Sequence, residues 1–104
     1  MGKARQIKID TRTFSKCGDA TAFFKAMLNR YKIGDRVTDL DAEDLSALLK
    51  RHEELDEKTG VGISYFKVDA APEPYSGRCF WIVRHNGSEV DFSYPHCLEA
   101  RLYD

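Results

Sequence analysis

Three groups of residues in this 104-residue sequence are equipped for chemistry: a run of carboxylates, a scatter of cysteines and histidines, and a segment that interleaves arginine with aromatic side chains. The carboxylates are Asp39, Asp41, Glu43 and Asp44. Hard cations prefer oxygen ligands, so acids at this density can hold Mg²⁺ for phosphodiester hydrolysis. Acids in a first helical turn also have a structural use, because they stabilise the positive end of the helix dipole by about 0.3–1 kcal/mol. That second use is the preferred one here. The run is not an EF-hand loop, since Asp44 stands where the loop needs Gly and Lys50 where it needs Glu. Gly60-Val61-Gly62 lacks the following Gly, Lys and Ser or Thr of a phosphate-cradling loop. Cys17, Cys79 and Cys97 contain no Cys-x-x-Cys spacing, which speaks against a zinc ribbon. A nucleophilic thiolate would need His52, His85 or His96 within reach, and spacing does not supply that contact. His96 and Cys97 are adjacent, hence about 100° apart on a helix and aimed into different surroundings.

The third group is the most suggestive. In Arg78-Cys79-Phe80-Trp81-Ile82-Val83-Arg84, alternate residues share one face of a strand, which puts Phe80 and Ile82 between Arg78 and Arg84. A sheet that shows an aromatic between cations is one way to hold single-stranded RNA, where stacking contributes about 1–3 kcal/mol per base. Arg78, Phe80 and Arg84 are therefore the candidate nucleic-acid contacts, joined by Lys25 and Lys32 from the polar stripe of a helix. The opposing consideration is that Arg84 would face Glu89 and lie diagonal to Asp91, and cross-strand pairing would consume its charge.

These side chains need elements to position them. Arg5 to Ile9 alternates, which predicts a short strand with Ile7 and Ile9 inward. After a turn over residues 10–13, Ser15 is placed to cap a helix whose buried face is Ala20, Phe23, Phe24, Met27, Leu28 and Tyr31. Its opposite face carries Thr21, Lys25, Asn29 and Lys32, and Gly34 is placed to close it. Thr38 or Asp41 opens a second helix with Ala42, Leu45, Leu48, Leu49 and His52 on one face. Gly60-Val61-Gly62 breaks the pattern before a strand from Ile63 to Asp69, and Pro72 and Pro74 punctuate a loop. Asn86-Gly87 predicts a type I′ hairpin, which sets Val83 opposite Val90, Trp81 opposite Phe92 and Arg84 opposite Glu89. Cys79, Trp81, Val83, Val90 and Phe92 then face the core. Residues 79–83 are apolar on both faces, which marks a central strand. Tyr94 to Leu102 finishes as a short helix with Pro95 in its first turn.

Length, with 42% hydrophobic and 32% charged residues, fits one globular domain spanning 1–104. The net charge of −1 excludes a protein held to phosphates by bulk charge. The charge is segregated, however. Residues 1–30 hold seven basic side chains against two acids, whereas residues 31–62 hold five against nine. Such asymmetry marks either a local anion site or solvated faces. The opening residues lack an apolar run, and an odd number of cysteines suits a reducing compartment, so a soluble cytoplasmic protein is expected.

Several of these segments together resemble a known family. Tyr31-Lys-Ile-Gly34, the acidic run Asp39 to Asp44, Leu48-Leu49-Lys-Arg-His52, Gly60-Val-Gly-Ile63 with Phe66, Arg78-Cys-Phe80, Val83-Arg84, Gly87, Asp91-Phe-Ser93 and Cys97-Leu98 are similar to the family of unknown function DUF3223, also called the DCL or DeCL domain after the plant protein "defective chloroplasts and leaves". The resemblance covers nearly the whole chain. Two positions depart from the family's pattern: Glu53 follows His52 where Pro is usual, and His96 stands where Lys is frequent. At the second, any phosphate contact becomes weaker and pH-dependent. The resemblance implies a link to ribosomal RNA processing and to the largest subunits of plant RNA polymerases IV and V. The expectation is thus an α+β domain: two packed helices and a short C-terminal helix against a mainly antiparallel sheet of three or four strands. Its expected role is non-catalytic contact with RNA or an RNA-processing assembly, with no cofactor, no metal and no membrane. The alternatives are a protein-interaction module without RNA contact and a small metal-dependent nuclease.

Overall fold

The computed structural model describes residues 6–52 and 55–98. In chain order the elements are β1 (Ile7–Ile9), β2 (Arg12–Phe14), α1 (Cys17–Asn29), α2 (Asp39–Leu49), α3 (Leu55–Thr59), β3 (Ile63–Ala70), β4 (Arg78–Arg84), β5 (Glu89–Phe92) and α4 (Tyr94–Cys97). They form an α+β fold with two antiparallel sheets, β1-β2 and β3-β4-β5. Among the described residues no helix is long and apolar enough to cross a membrane.

The small hairpin pairs Ile7 with Phe14 and Ile9 with Arg12. β2 occupies part of the stretch expected to be a turn, and its single inward residue, Phe14, gave too little alternation to reveal it. Ile7, Ile9 and Phe14 are buried together with Phe24 and Met27 of α1, Leu45, Leu48 and Leu49 of α2, and Phe66, Val68, Phe80, Ile82 and Phe92 of the larger sheet. One apolar cluster thus joins both sheets and both long helices. Two expected caps are relocated. The N-cap of α1 is Lys16, without a side-chain bond, rather than Ser15. The helix ends at Arg30 and Tyr31, whose amides donate three residues back to Met27 and Leu28, so Gly34 lies in the following loop. Thr38 caps α2 by accepting from the Asp41 amide at 3.2 Å.

The loop after α1 runs along the outer edge of β3. Gly34 N–H donates to Val68 O, Val68 N–H to Asp35 O and Val37 N–H to Phe66 O, at 2.8–2.9 Å. This lengthens the sheet by a short irregular strand, and β4 remains central as its two-sided apolar sequence predicts.

The hairpin register differs from expectation by one residue. Phe80 pairs with Phe92, Ile82 with Val90, Trp81 with Asp91 and Val83 with Glu89. Gly87 N–H donates to Arg84 O, Arg84 N–H donates to Ser88 O, and only Gly87 of the loop has positive φ, at 85°. This is a three-residue loop, a type I turn closed by a glycine bulge, instead of a two-residue type I′ turn. Asn-Gly is compatible with both. Moving one residue exchanges the faces of a strand, so Phe80, Ile82 and Phe92 face the core while Cys79, Trp81 and Val83 lie on the other face, where Val83 is still buried. Phe80 stacks on Phe92 at 5.9 Å between ring centroids and meets Phe66 through that ring.

Candidate nucleic-acid interface

The apolar cluster leaves one end of the larger sheet open. There a cleft of about 620 Å³ lies between the second half of α1, the β3–β4 loop, the start of β4, the end of β5 and α4. Its lining includes Leu28, Pro72, Tyr75, Arg78, Tyr94 and His96. The loop is a folded unit: Ala71 N–H donates to Gly77 O and Tyr75 N–H to Pro72 O, both at 2.9 Å. It holds Tyr75 74% exposed at the rim. α4 presents Tyr94 and His96 because Ser93 caps it, accepting from the His96 amide at 3.3 Å, and Pro95 sits in the first turn, where no amide bond is lost. Burial raises the Tyr94 hydroxyl above its ordinary pKa.

The five candidate residues are distributed unequally around this cleft. Arg78 lines it, is exposed and makes no ion pair among the described residues. Lys25 is exposed one helical turn before Leu28, which lines the cleft. Lys32 is exposed in the connection after α1, where its amide donates to the Asp35 carboxylate at 2.8 Å. Phe80 lies in the wall with 0% exposure, stacked in the core, so the expectation that it offers a face to a base is corrected by the register.

Arg84 is also corrected. It stands beside Ser88 rather than Glu89, and its guanidinium donates to Lys58 O at 3.0 Å, Glu57 O at 2.9 Å and Ser88 Oγ at 3.1 Å. The first two acceptors are last-turn carbonyls of α3, which have no partner inside the helix. Arg84 therefore fastens α3 to the sheet. Glu89 instead pairs with Lys67, 2.7 Å away, and Lys67 also reaches Asp69 at 3.1 Å. The Glu89 carboxylate, followed by Asp69, raises the Lys67 pKa.

Two carboxylates of the acidic run, Asp41 and Asp44, are committed to ion pairs. Asp44 is buried and receives a two-pronged bond from Arg12, at 3.2 and 3.0 Å. Asp41 accepts from Arg30 at 2.8 Å and from the Tyr31 hydroxyl. Lys50 pairs with Asp10. Three ion pairs thus join the N-terminal third to the middle third, two of them through Arg12 and Arg30. No group of three or more potential metal-ligating residues occurs among the described residues. No disulfide joins the three cysteines. Burial pushes the Cys79 thiol up to about 11, with the Asp91 charge adding to the effect, so it is a poor nucleophile at neutral pH. His96 packs its ring on His52 at 4.9 Å.

The family model described as "Protein of unknown function (DUF3223)" matches residues 25–98. The chain belongs to the DUF3223 family. Among curated relatives, Protein DCL, chloroplastic, of Solanum lycopersicum is 42% identical over 74 residues, covering 70% of this chain and 33% of that protein. Subunit 1 of DNA-directed RNA polymerase V from Arabidopsis thaliana is 34% identical over 73 residues, covering 69% of this chain and 4% of that subunit. The chain therefore spans about a third or less of the length of these relatives. An uncharacterized protein of Rhodospirillum rubrum, solved by solution NMR, has the same fold with a TM-score of 0.81 at 44% identity, covering 93% of this chain and 91% of that one. Arg78-Cys-Phe80 and the residues through Cys97-Leu98 fall within the matched span, and so does the whole cleft lining from Leu28 to His96.

Sequence reasoning missed Tyr75 and Tyr94. Their signal was present as a tyrosine next to proline in each of two segments, Pro74-Tyr75 and Tyr94-Pro95, at rigid points of the chain. Only the fold brings the two segments to one cleft.

Proposed function

We propose that this chain is a non-catalytic module of RNA metabolism that contacts RNA at the cleft beside Arg78. The observation that carries this reading is the position of Arg78, an exposed guanidinium without an ionic partner among the described residues, on a cleft that also holds Tyr75 and Tyr94. Cations that remain unneutralised are the ones that attract phosphate, and Lys25 and Lys32 are of the same kind on the adjoining α1 side. The relative named as an RNA polymerase subunit is consistent with work in an RNA-synthesising or RNA-processing assembly. Three cysteines without a disulfide among them fit a reducing compartment such as the cytosol.

A protein-interaction role without RNA contact draws support from the outward sheet face. There Trp81 lies in a register row with Lys67 and Asp91, Asp69 and Glu89 occupy neighbouring rows, and acids outnumber cations. Such a face repels phosphate.

Titration of labelled RNA at two salt concentrations separates the readings. Affinity should fall as salt rises from about 50 to 200 mM, and Arg78→Ala should weaken binding while reducing the logarithmic salt slope by about 1. Absence of RNA binding at low salt, or an Arg78→Ala variant indistinguishable from wild type, would overturn the proposal.

A further inference from the structure

Resting on the RNA reading above, we infer that the cleft takes an unpaired nucleotide and that Tyr75 supplies the surface on which its base stacks. A tyrosine left 74% exposed keeps an apolar ring in water, and the bonds within residues 71–77 hold it at the cleft mouth rather than letting it fold back. Leu28, Pro72 and Tyr94 add apolar and aromatic surface to the lining, beside the polar Ser93 and His96. Phe80, packed on Phe92, supplies a wall that cannot collapse inward. A cavity near 620 Å³ lies in the range of small-ligand sites, roughly 300–1,000 Å³. That is suited to a single base and far too small for a helix.

Arg78 stands at the start of β4, where it can meet a phosphate while the base enters. Asp91 is the acid in the lining, and the Lys58 ammonium donates to its backbone carbonyl, not its carboxylate, at 2.8 Å. A duplex keeps its base faces stacked inside and offers this cleft only phosphates and ribose edges. A loop, bulge or single strand offers the base as well. Stacking on an aromatic ring is tolerant of base identity, so Tyr75 confers selectivity for unpaired RNA without sequence selectivity.

The test compares a single-stranded oligonucleotide with a fully paired duplex of the same length, by fluorescence anisotropy on the wild-type chain, Tyr75→Ala, Tyr75→Phe and Arg78→Ala. The single strand should bind at least about tenfold more tightly than the duplex. Tyr75→Ala should weaken single-strand binding roughly 5- to 150-fold, the equivalent of a lost stack, with the salt slope unchanged. Tyr75→Phe should bind like wild type, and Arg78→Ala should lower affinity together with the slope. Equal binding of single strand and duplex, or unaltered affinity in Tyr75→Ala, would overturn the inference and leave RNA contact through Arg78 standing. Failure of both RNAs to bind would remove the RNA reading itself and the inference with it.

Discussion

Replacing Arg84 with Met keeps the apolar stem and removes every donor, which isolates the fastening of α3. Three bonds are lost, to Lys58 O, Glu57 O and Ser88 Oγ. A hydrogen bond from a charged donor contributes about 1.5–3 kcal/mol net when buried. Arg84 is half-buried and its contact with Glu57 is solvent-exposed, so screening reduces the sum to about 2–4 kcal/mol. In urea unfolding followed by far-ultraviolet circular dichroism, that loss should appear as a lower midpoint at unchanged slope, and thermally as a fall in Tm of roughly 10–20 °C. Arg84→Lys should recover little, because an ammonium cannot reproduce the fork that spans two helix carbonyls and a hydroxyl. Gly60→Ala strikes the same contact from the other side: its Cβ would stand 2.8 Å from Arg84 Nε, at a φ of 56° that side chains rarely adopt. It should be destabilised as well. An Arg84→Met variant as stable as wild type but impaired in RNA affinity would refute this reasoning and return Arg84 to the binding surface.

Four other outcomes are expected. Phe80→Ala should lose about 3–5 kcal/mol in chemical denaturation, since the ring is wholly buried against Phe92. The Arg12–Asp44 pair should respond asymmetrically, because the Asp44 side chain is 7% exposed and that of Arg12 is 42% exposed. Arg12→Ala strands a buried carboxylate and should cost about 2–4 kcal/mol, whereas Asp44→Ala releases an arginine to solvent and should cost about half as much in the same assay. Stability should decline between pH 9 and about 11 through Cys79: the unfolded chain releases that thiol proton near 9.0, while burial makes the folded state hold it to about 11. The contribution is complete below pH 9 and lost above 11, and Cys79→Ser should flatten that part of a pH series of unfolding curves. Gly87→Ala should cost about 1–2 kcal/mol by forcing a side chain into the left-handed bulge position, read as a lower Tm.

Periodicity and end signals are local, and they were legible in the residues themselves. The 3.6-residue recurrence of Ala20, Phe24 and Met27 defines the buried side of α1, Thr38 announces α2, and the two-sided apolar run 79–83 marks β4 as central. The family resemblance was likewise carried by ordered segments of sequence. The strand faces were not decided at that level. With Cys79, Trp81 and Val83 on one side and Phe80 and Ile82 on the other, either set is apolar enough to be inward, and Asn86-Gly87 suits a two-residue or a three-residue loop. The choice falls to packing: Phe80, Ile82 and Phe92 fill the space beneath the helices together with Phe66, Phe24 and Leu48. The same holds for charge. Arg12 and Asp44 are 32 residues apart, and Arg84 meets Glu57 across 27, so whether a cation is spent on the fold or left for a partner depends on contacts that exist only after the chain has closed. Periodicity could therefore establish most of the elements and the resemblance of ordered segments the family, while tertiary packing brought Arg78, Tyr75 and Tyr94 to one cleft and turned Phe80 and Arg84 into structure.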